Sequence, residues 1–479
     1  MKRVADGLIA FVKRGCPTCL MIQPVLRQLA EGGAPLTVYS QDDPSFPAGV
    51  RGVVDDRELE ASFHFQVETV PTLVRLADGR ETNRAIGWNR GEWEAVSELK
   101  GLGPGLPEHR PGCGSRTEEP GMAYRLAARF TDAGLKSRRI ELDGDDADLI
   151  EACYERGWSD GLPVTPPTAE RVLAMLAGTR RSPQEVIGLI PPDRVECTVE
   201  KAAINAVLAG CKPEYLPVVL AAIEAALVPE FGLHGVLCTT NAVAPVIMVN
   251  GPIAKRIGMN SKGNVFGQGN RANATIGRAL QLVVRNVGGG RPGEIDRACF
   301  GNPGKYTFCF AEDEDDGVWE SYAVEQGFSK DASTVTLFTG DGVTPIIDQV
   351  ARSPEQLIDS YVPCLRAVYN TSQVTDVAAF LVVGPEQARV FYRAGWSKQR
   401  LKDELHKRLH VPVRELKHGF GTEKEVERLK REDPDARVPK FKTGSLNVIR
   451  AGGSAGLFSA IISGLGSITI KPVTREIKE

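Results

Sequence analysis

The first hundred positions alternate short apolar runs with amphipathic stretches, separated by glycine-rich or polar turns. The apolar runs predict strands over residues 8–12, 36–40, 72–76 and 81–86. Apolar residues at helical spacing predict one helix that runs to Ala30 and two more over 59–65 and 92–100. The last two strands form a hairpin across Ala77-Asp78-Gly79-Arg80. The predicted order is therefore β-α-β-α-β-β-α.

Beyond residue 145, units of strand, turn and helix recur. Their strands are predicted at 245–249, 334–338, 377–383 and 446–449, and a glycine-containing turn follows each of them. Strands that alternate with helices are typical of an α/β architecture, and we expect a mostly parallel sheet. Because such sheets bind ligands at the carboxyl ends of their strands, the turns mark the expected binding edge.

Two short patterns occur twice in this large region. Tyr154-x-x-Gly157-Trp158-Ser159 recurs as Tyr392-x-x-Gly395-Trp396-Ser397, and the strand, Gly-Pro turn and helix at 245–258 resemble those at 377–395. An internal repeat of this kind suggests two related lobes with a cleft between them.

The composition changes around residue 100. Ten of the 21 residues from 101 to 121 are glycine or proline, which cannot hold a regular helix or a central strand. We therefore predict a small domain over 1–100, a linker and transition over 101–145, and a large α/β domain over 146–479. The transition is expected to contain a helix at 123–133 and a strand at 138–142.

The overall composition excludes several functional classes. The chain has 479 residues, of which 42% are hydrophobic and 25% charged, so wholesale disorder is excluded. A net charge of −3 and 6% aromatic residues argue against a nucleic-acid partner. No apolar run reaches the ~20 residues that a membrane span needs, and the N-terminus lacks a secretory pattern. We expect a cytoplasmic protein, without a membrane partner, whose size is compatible with a homodimer.

The sharpest chemical signal is Cys16-Pro17-Thr18-Cys19, where a predicted strand ends and a helix begins. The helix N-terminus stabilises a thiolate, so Cys16 is expected to be the nucleophile. Cys19 is close enough to resolve a mixed disulfide. Pro71 is the second candidate feature, since a cis bond there would place the preceding backbone beside the sulfurs. Metal binding by the two cysteines stays open, although no second CxxC accompanies them.

These residues resemble the thioredoxin/glutaredoxin-type domain over positions 7–100. The matching features are Cys16-Pro17-Thr18-Cys19, Pro24 at the family's helix kink, Val70-Pro71-Thr72 at its cis-proline and Gly87-Trp88. The resemblance implies a redox-active Cys16–Cys19 disulfide and an external thiol reductant or reductase. Two positions depart from the family: Arg14-Gly15 replaces the usual tryptophan, and Ala10 stands where a buried acid is usual.

The large domain resembles a group of uncharacterised bacterial proteins in residues 157–163 and 271–278, which transfers no activity. Its densest polar segment, 260–290, combines glycines with amides ahead of an amphipathic helix. Glycines and a helix N-terminus favour an anion, so we predict that this segment binds a small anionic substrate. The predicted contacts are Asn264, Gly267, Gly269, Asn270, Arg271 and Asn273.

Three further residues are candidates for catalysis in the large domain. Asp160 lies on a rigid loop and could act as an acid. Cys197 precedes a helix and has Lys201 one turn into it, which would lower a thiol pKa. Cys238 ends an apolar segment at what we interpret as a strand end. Cys113, in the glycine- and proline-rich stretch, is expected to be exposed and able to form a mixed disulfide.

The leading hypothesis is a thiol-dependent oxidoreductase in which the CxxC domain exchanges electrons with a large domain that binds a small anionic substrate. Cys197 would be the first choice for the thiol of the large domain that takes part in this exchange. A lyase or hydro-lyase, metal-assisted or not, with a regulatory thioredoxin-like domain is one alternative. A soft-metal-binding or thiol-carrier protein, with an ion held by Cys16, Cys19 and Met21, is the other. The Cys16–Cys19 disulfide is the one redox cofactor predicted; no metal ligands are assigned, and whether the large domain uses a metal stays open.

Overall fold

The computed structural model describes residues 5–141, 148–417, 422–466 and 470–479. The chain divides into two compact units, Met1–Gly134 and Leu135–Glu479. The first unit thus extends well beyond residue 100, where the composition changes. Residue 146, at which the sequence placed the start of the large domain, lies outside the described residues.

The first unit is built around one five-stranded sheet in the order β3-β2-β1-β5-β6. Its strands are β1 Gly7–Val12, β2 Leu36–Ser40, β3 Val53–Asp55, β4 Thr69–Val70, β5 Thr72–Ala77, β6 Arg80–Ile86, β7 Trp88–Asn89, β8 His109–Arg110 and β9 Cys113–Gly114. Its helices are α1 Pro17–Met21, α2 Gln23–Glu31, α3 Glu60–His64, α4 Arg90–Ser97 and α5 Met122–Phe130. The strand β1 lies in the middle of this sheet, and all its residues after Gly7 are buried, as expected for a strand that is covered on both faces.

The helix that was predicted to run to Ala30 is divided in two. The first part, α1, ends at Met21, and α2 starts at Gln23 with Pro24 in its first turn. Proline has no N–H to donate and is tolerated in the first turn of a helix but not in its interior. Pro24 therefore marks a helix start, whereas the sequence pattern placed it inside one helix.

The stretch from 101 to 121 packs onto the first unit instead of serving as a linker. The strand β8 pairs with β7, β9 pairs with β4, and Arg116–Glu118 forms a helical turn. Trp88 fixes this stretch by donating its indole N–H to the carbonyl of Pro107 at 2.7 Å. Glycine and proline exclude long regular elements, but they still allow two-residue pairings along strand edges. The predicted strand at 138–142 does not form over 138–141, and Leu142 lies outside the described residues.

The second unit combines two larger sheets with helices. Its strands are β10 Val186–Ile190, β11 Val195–Thr198, β12 Ala244–Asn250, β13 Cys309–Ala311, β14 Thr334–Gly340, β15 Val343–Ile347, β16 Val377–Val383, β17 His410–Pro412, β18 Arg437–Pro439, β19 Leu446–Arg450, β20 Phe458–Leu465 and β21 Val473–Glu476. Its helices are α6 Leu149–Glu155, α7 Ala169–Leu176, α8 Val199–Ala209, α9 Leu216–Ala226, α10 Leu233–Cys238, α11 Pro252–Arg256, α12 Arg271–Asn286, α13 Tyr322–Glu325, α14 Pro354–Arg366, α15 Pro385–Arg393, α16 Lys398–Arg408 and α17 Glu423–Glu432.

Among the described residues, no single helix has the length and apolar character to cross a membrane. Two consecutive segments, Pro213–Ala226 and Pro229–Cys238, satisfy those criteria only when taken together, and they are bent by 73° at their junction. The helix α9, within the first of these segments, is almost entirely buried in the core of the second unit.

The expectation of a mostly parallel sheet is wrong. The two larger sheets have the orders β13-β12-β14-β21 and β15-β20-β16-β19. Each contains one parallel pair, β12 with β13 or β16 with β19, and its other pairs are antiparallel. The recurring strand, turn and helix give a parallel crossover only once in each sheet. The later strands β14 and β20 instead pair antiparallel with β12 and β16, respectively.

The two sheets share one topology and exchange their outer strands. In each, the strand that precedes a Gly-Pro turn and a helix lies between a parallel and an antiparallel partner. The outermost antiparallel strand comes from the other half of the sequence. The strand β15 follows β14 along the chain but pairs with β20, whereas β21 follows β20 but pairs with β14. A shared apolar cluster joins the sheets, and Phe338 stacks on Phe380 there with ring centroids 3.8 Å apart.

A buried ion pair joins the same two sheets at their strand ends. A guanidinium nitrogen of Arg450, at the end of β19, lies 3.1 Å from the Asp313 carboxylate just after β13. Their side chains are 3% and 1% exposed. The backbone N–H of Asp313 also donates to the carbonyl of Arg450 at 2.8 Å, and Lys262 approaches Asp313 at 2.6 Å. This cluster fixes the carboxyl ends of the two parallel pairs against each other.

Replacing Arg450 by methionine should lower the thermal unfolding transition of the full chain by several degrees. Removing one partner of a buried ion pair costs about 3–5 kcal/mol, because the other charge stays buried. Circular dichroism against temperature measures the change. Arg428→Met is the matched control, since Arg428 forms an exposed pair with Glu432 that contributes at most ~1 kcal/mol. Equal transitions for the two variants would contradict a structural role for the buried pair.

Candidate active site

The candidate site forms where β1 ends and α1 begins. Cys16 is the N-cap residue of α1, and its sulfur accepts a hydrogen bond from the backbone N–H of Cys19 at 3.5 Å. Pro17 follows in the first turn, where its missing N–H costs nothing. The cap therefore directs the helix N–H groups at the sulfur of Cys16.

Two further groups contact this sulfur. The Cys16 sulfur lies 3.5 Å from the carbonyl oxygen of Val70, and the Val70–Pro71 peptide bond is cis. It also shares a hydrogen bond of 2.9 Å with the sulfur of Cys113. Both Cys16 and Cys19 are fully buried, whereas Cys113 is partly exposed. All ten cysteines of the chain are free thiols.

The electrostatics of the site divide the roles of its thiols. A hydrogen bond from the Cys19 thiol is the main cause that lowers the pKa of Cys16 from 9.0 to about 5. Burial opposes this shift, and a hydrogen bond from Cys113 adds to it. Burial raises the pKa of Cys19 strongly, and the hydrogen bond to Cys16 raises it further. Burial also raises the pKa of Cys113. Cys16 is thus the thiolate, and the other two are protonated donors to it.

Asp42 is a site residue that the sequence reasoning missed. Its carboxylate accepts the backbone N–H groups of Arg14 at 2.7 Å and Gly15 at 2.9 Å, directly ahead of Cys16. This contact holds the Arg14-Gly15 turn that replaces the usual tryptophan. Asp42 follows β2, the parallel neighbour of β1, so the adjacent strand ends were the signal that could have found it.

Asp160 is engaged in a structural ion pair. Its two carboxylate oxygens accept hydrogen bonds from Arg278 at 2.8 and 2.7 Å. Arg278 also donates to the carbonyls of Leu162 and Pro163, so the pair fixes the rigid loop onto α12. Asp160 therefore holds the loop against α12, and no contact among the described residues supports the predicted role as an acid.

All four side chains that were predicted to bind the anion also form hydrogen bonds within the protein. Asn270 caps α12, Arg271 donates to the carbonyl of Gly210 at 3.0 Å, and Asn264 donates to the carbonyl of Gln268 at 2.7 Å. The buried Asn273 bonds the backbone of residue 260 in both directions. The glycines shape the same loop: Gly269 has a φ of 111°, and a side chain at position 267 would collide with that of residue 264. Substrate contact by these residues stays a prediction.

The two cysteines proposed for the second unit have opposite environments. Cys197 is fully buried, and burial raises its pKa to about 12, although Lys201 lowers it slightly. The N-cap of α8 is Thr198, one residue later, so the helix end does not activate the Cys197 thiol. Cys238 is exposed and is the last residue of α10, so it lies at a helix end and not at the predicted strand end.

The second unit contains a cavity of about 900 Å³. Aromatic and charged side chains line it, among them Lys255, Trp319, Glu325, Tyr392, Trp396 and Lys398. Lys398 is 5% exposed and lies 3.3 Å from Glu325. The second copy of the repeated Tyr-x-x-Gly-Trp-Ser pattern lines this cavity, so the repeat was the available sequence signal. Within the described ranges, no group of three or more His, Cys, Asp or Glu side chains could hold a metal ion.

Comparison with known proteins identifies the first part of the chain. No protein-family model matches the sequence. Thioredoxin from Mycobacterium bovis is 31% identical over 100 residues, which is 21% of this chain and 75% of that thioredoxin, and thioredoxin from Mycobacterium tuberculosis gives the same figures. Thioredoxin from Chlamydia trachomatis is 31% identical over 86 residues, 18% of this chain and 72% of its own length.

Through its N-terminal hundred residues, this chain belongs to the thioredoxin family. The similarity supports thiol-redox function in that part, and thioredoxin-like proteins interact with reductases or thiol partners. The large unit fused to it is not identified by these relatives.

The reduced protein should show a thiolate that titrates near pH 5. Because the folded environment lowers the pKa of Cys16 from 9.0 to about 5, the thiolate persists above that pH and is lost as the pH falls through it. The ultraviolet absorbance of the thiolate, followed against pH, measures the transition. Cys16→Ser should remove it, whereas Cys299→Ser, at an exposed cysteine outside the site, should keep it. A single transition near the ordinary thiol pKa would contradict the assignment.

Proposed function

We propose that the first unit catalyses thiol–disulfide exchange with Cys16 as the nucleophile. The Cys16 thiolate attacks one sulfur of a substrate disulfide, and the other substrate sulfur leaves as a thiolate. Cys19 then loses its proton and attacks Cys16, which releases the second substrate thiolate and forms the Cys16–Cys19 disulfide. The substrate gains two electrons, and an external thiol reductant or reductase returns two to the protein. The lowered pKa of Cys16 at the cap of α1 is the observation that carries this proposal.

The redox partner could also be the second unit of the same chain. Cys197 is a poor partner for thiol–disulfide exchange, since its thiol is buried and protonated at neutral pH. Cys238 is exposed and is therefore the better candidate for a thiol that exchanges with Cys16. We also propose a cytoplasmic location, because cysteine thiols are kept reduced in the cytoplasm.

We further propose that the cavity of the second unit, and not the 260–290 segment, holds the small anionic substrate. The lysines at positions 255, 330 and 398 line the cavity and would pair with an anionic ligand in exchange for their present carboxylate partners. Trp319 and Trp396 offer apolar surface for the body of such a ligand. A pocket that combines apolar walls with a few charged groups is the usual form of a small-molecule site. The side chains of the 260–290 segment that were predicted to bind the anion are also hydrogen-bonded within the fold, and they do not line this cavity.

Serine variants of the two motif cysteines should separate the two steps of exchange. Cys16→Ser should reduce a model peptide disulfide no faster than the uncatalysed reaction, since the nucleophile is gone. The double variant Cys19→Ser with Cys113→Ser, which removes both thiols that contact Cys16, should start the reaction but stop at the mixed disulfide on Cys16, which mass spectrometry detects as an added peptide mass. Cys299→Ser should turn over at the wild-type rate. Normal turnover by Cys16→Ser would refute the proposed nucleophile.

Small carboxylates and phosphates should change the tryptophan fluorescence of the full chain if they bind in the cavity. Lys330→Met should weaken that binding about fivefold, because an exposed charge contact contributes up to ~1 kcal/mol. Lys424→Met, on the exposed helix α17, is the matched control and should leave the affinity unchanged. A fluorescence response of equal affinity in both variants, or no response to any anion, would contradict the cavity as the anion site.

A further inference from the structure

Residues 111–115 occupy the strand edge beside the reactive sulfur. The strand β9 pairs antiparallel with β4, so that Val70 faces Cys113 and Thr69 faces Gly114. Residue 112 has to be glycine for this approach, because a Cβ there would lie 2.6 Å from the carbonyl oxygen of Val70. The segment thus lies on the backbone that directly precedes Pro71.

Side chains on both sides hold the segment in place. Thr18 donates its hydroxyl to the carbonyl of Pro111 at 2.7 Å, and Lys13 donates to the carbonyl of Gly114 at 2.7 Å. At the end of the segment, the backbone N–H of Ser115 donates to the carbonyl of Glu68. The buried Gln41 amide donates to the Ser115 hydroxyl at 2.7 Å. A peptide that adds a strand to an open edge and is held by main-chain hydrogen bonds binds in the same way.

The pairing places the two sulfurs in register. The Cys113 sulfur lies 2.9 Å from that of Cys16, and a disulfide bond is about 2.05 Å long, so closing the gap needs a shift of less than about 1 Å. Cys113 also forms the outer boundary of the site, since it is partly exposed while Cys16 and Cys19 are buried. A substrate thiol in the act of exchange would need this same position.

We propose that Cys113 is a third redox cysteine and that residues 111–115 dock as an intramolecular substrate. In the oxidised protein, Cys113 loses its proton and attacks the sulfur of Cys16. A Cys16–Cys113 bond forms, the Cys16–Cys19 bond breaks, and Cys19 leaves as a thiolate that takes up a proton. No net electrons are transferred, and the disulfide moves from the buried pair to the partly exposed cysteine. This inference rests on the proposed nucleophile, Cys16.

The test uses the full chain with Cys19→Ser, which removes the resolving thiol, and with glutathione disulfide as the oxidant. Glutathione should first attach to Cys16, and Cys113 should then displace it. Peptide mapping without reduction should find a Cys16–Cys113 disulfide and no retained glutathione. In Cys19→Ser with Cys113→Ser, glutathione should stay on Cys16. In the matched control, Cys19→Ser with Cys299→Ser, the cross-link should form as before.

The outcomes separate this inference from the proposal beneath it. Glutathione retained on Cys16 in the Cys19→Ser protein, with Cys113 still a thiol, would overturn the role of Cys113 alone. A Cys16 that takes up no glutathione in the double variant without Cys113 would overturn both.

A second variant tests the docking without altering any sulfur. Gly112→Val in the Cys19→Ser background should displace the segment, slow the formation of the cross-link at least severalfold and leave glutathione on Cys16 for longer. Cross-linking at an unchanged rate in this variant would overturn the docked-substrate geometry, since a side chain at position 112 collides with Val70. Unchanged far-ultraviolet circular dichroism would confirm that the variant is folded.

Discussion

The backbone N–H and C=O groups along a strand edge need hydrogen-bond partners, and strands that add to an edge shape both units of the protein. In the first unit the edge is β4, whose backbone lies beside the sulfur of Cys16. Such an edge can take up a peptide as an added strand, but here the chain supplies β9 from its own glycine- and proline-rich stretch. The burial of Cys16 and the contact with Cys113 both follow from this one pairing. Access to the nucleophile therefore depends on how easily two short strands separate.

The same contact sets the balance of protons in the site. The Cys16 thiolate is stabilised by donors that include two other thiols, and those thiols become harder to ionise in return. Position 10, where the family has a buried acid, holds an alanine that is fully buried in β1. A reaction at Cys19 thus has no carboxylate at that position to take its proton. The proposed exchange with Cys113 needs no such carboxylate, because the thiolate released at Cys19 can take up the proton that Cys113 gives up.

Local pattern in the sequence was enough to predict β1, β2, α3 and the hairpin of β5 and β6, since the CxxC at a helix start and the hairpin both have strong local signals. It missed the short strands β3 and β4 and the break between α1 and α2. It placed the glycine- and proline-rich stretch correctly as irregular but could not reveal its docking, because pairing with β4 is a long-range contact. The same limit explains the sheets of the second unit, where strand, turn and helix were recognised but the direction of the next strand was not. Asp160 and Asn270 resembled site residues because a polar side chain that caps or pins a loop has the same local sequence as one that binds a ligand.

In the second unit the two larger sheets exchange their outer strands. The strand β15 completes the sheet of β20, and β21 completes the sheet of β14, so neither four-stranded sheet can form from one contiguous half of the sequence. Removing either half would reopen an edge on the other, and it would also leave half of the shared apolar cluster without its partner. The Asp313–Arg450 pair adds a polar constraint of the same kind, since its two buried charges lie at the ends of strands from different sheets. Both halves must therefore be in place before either sheet is complete, and the cavity, which is lined by residues from before and after β14, depends on that joint assembly.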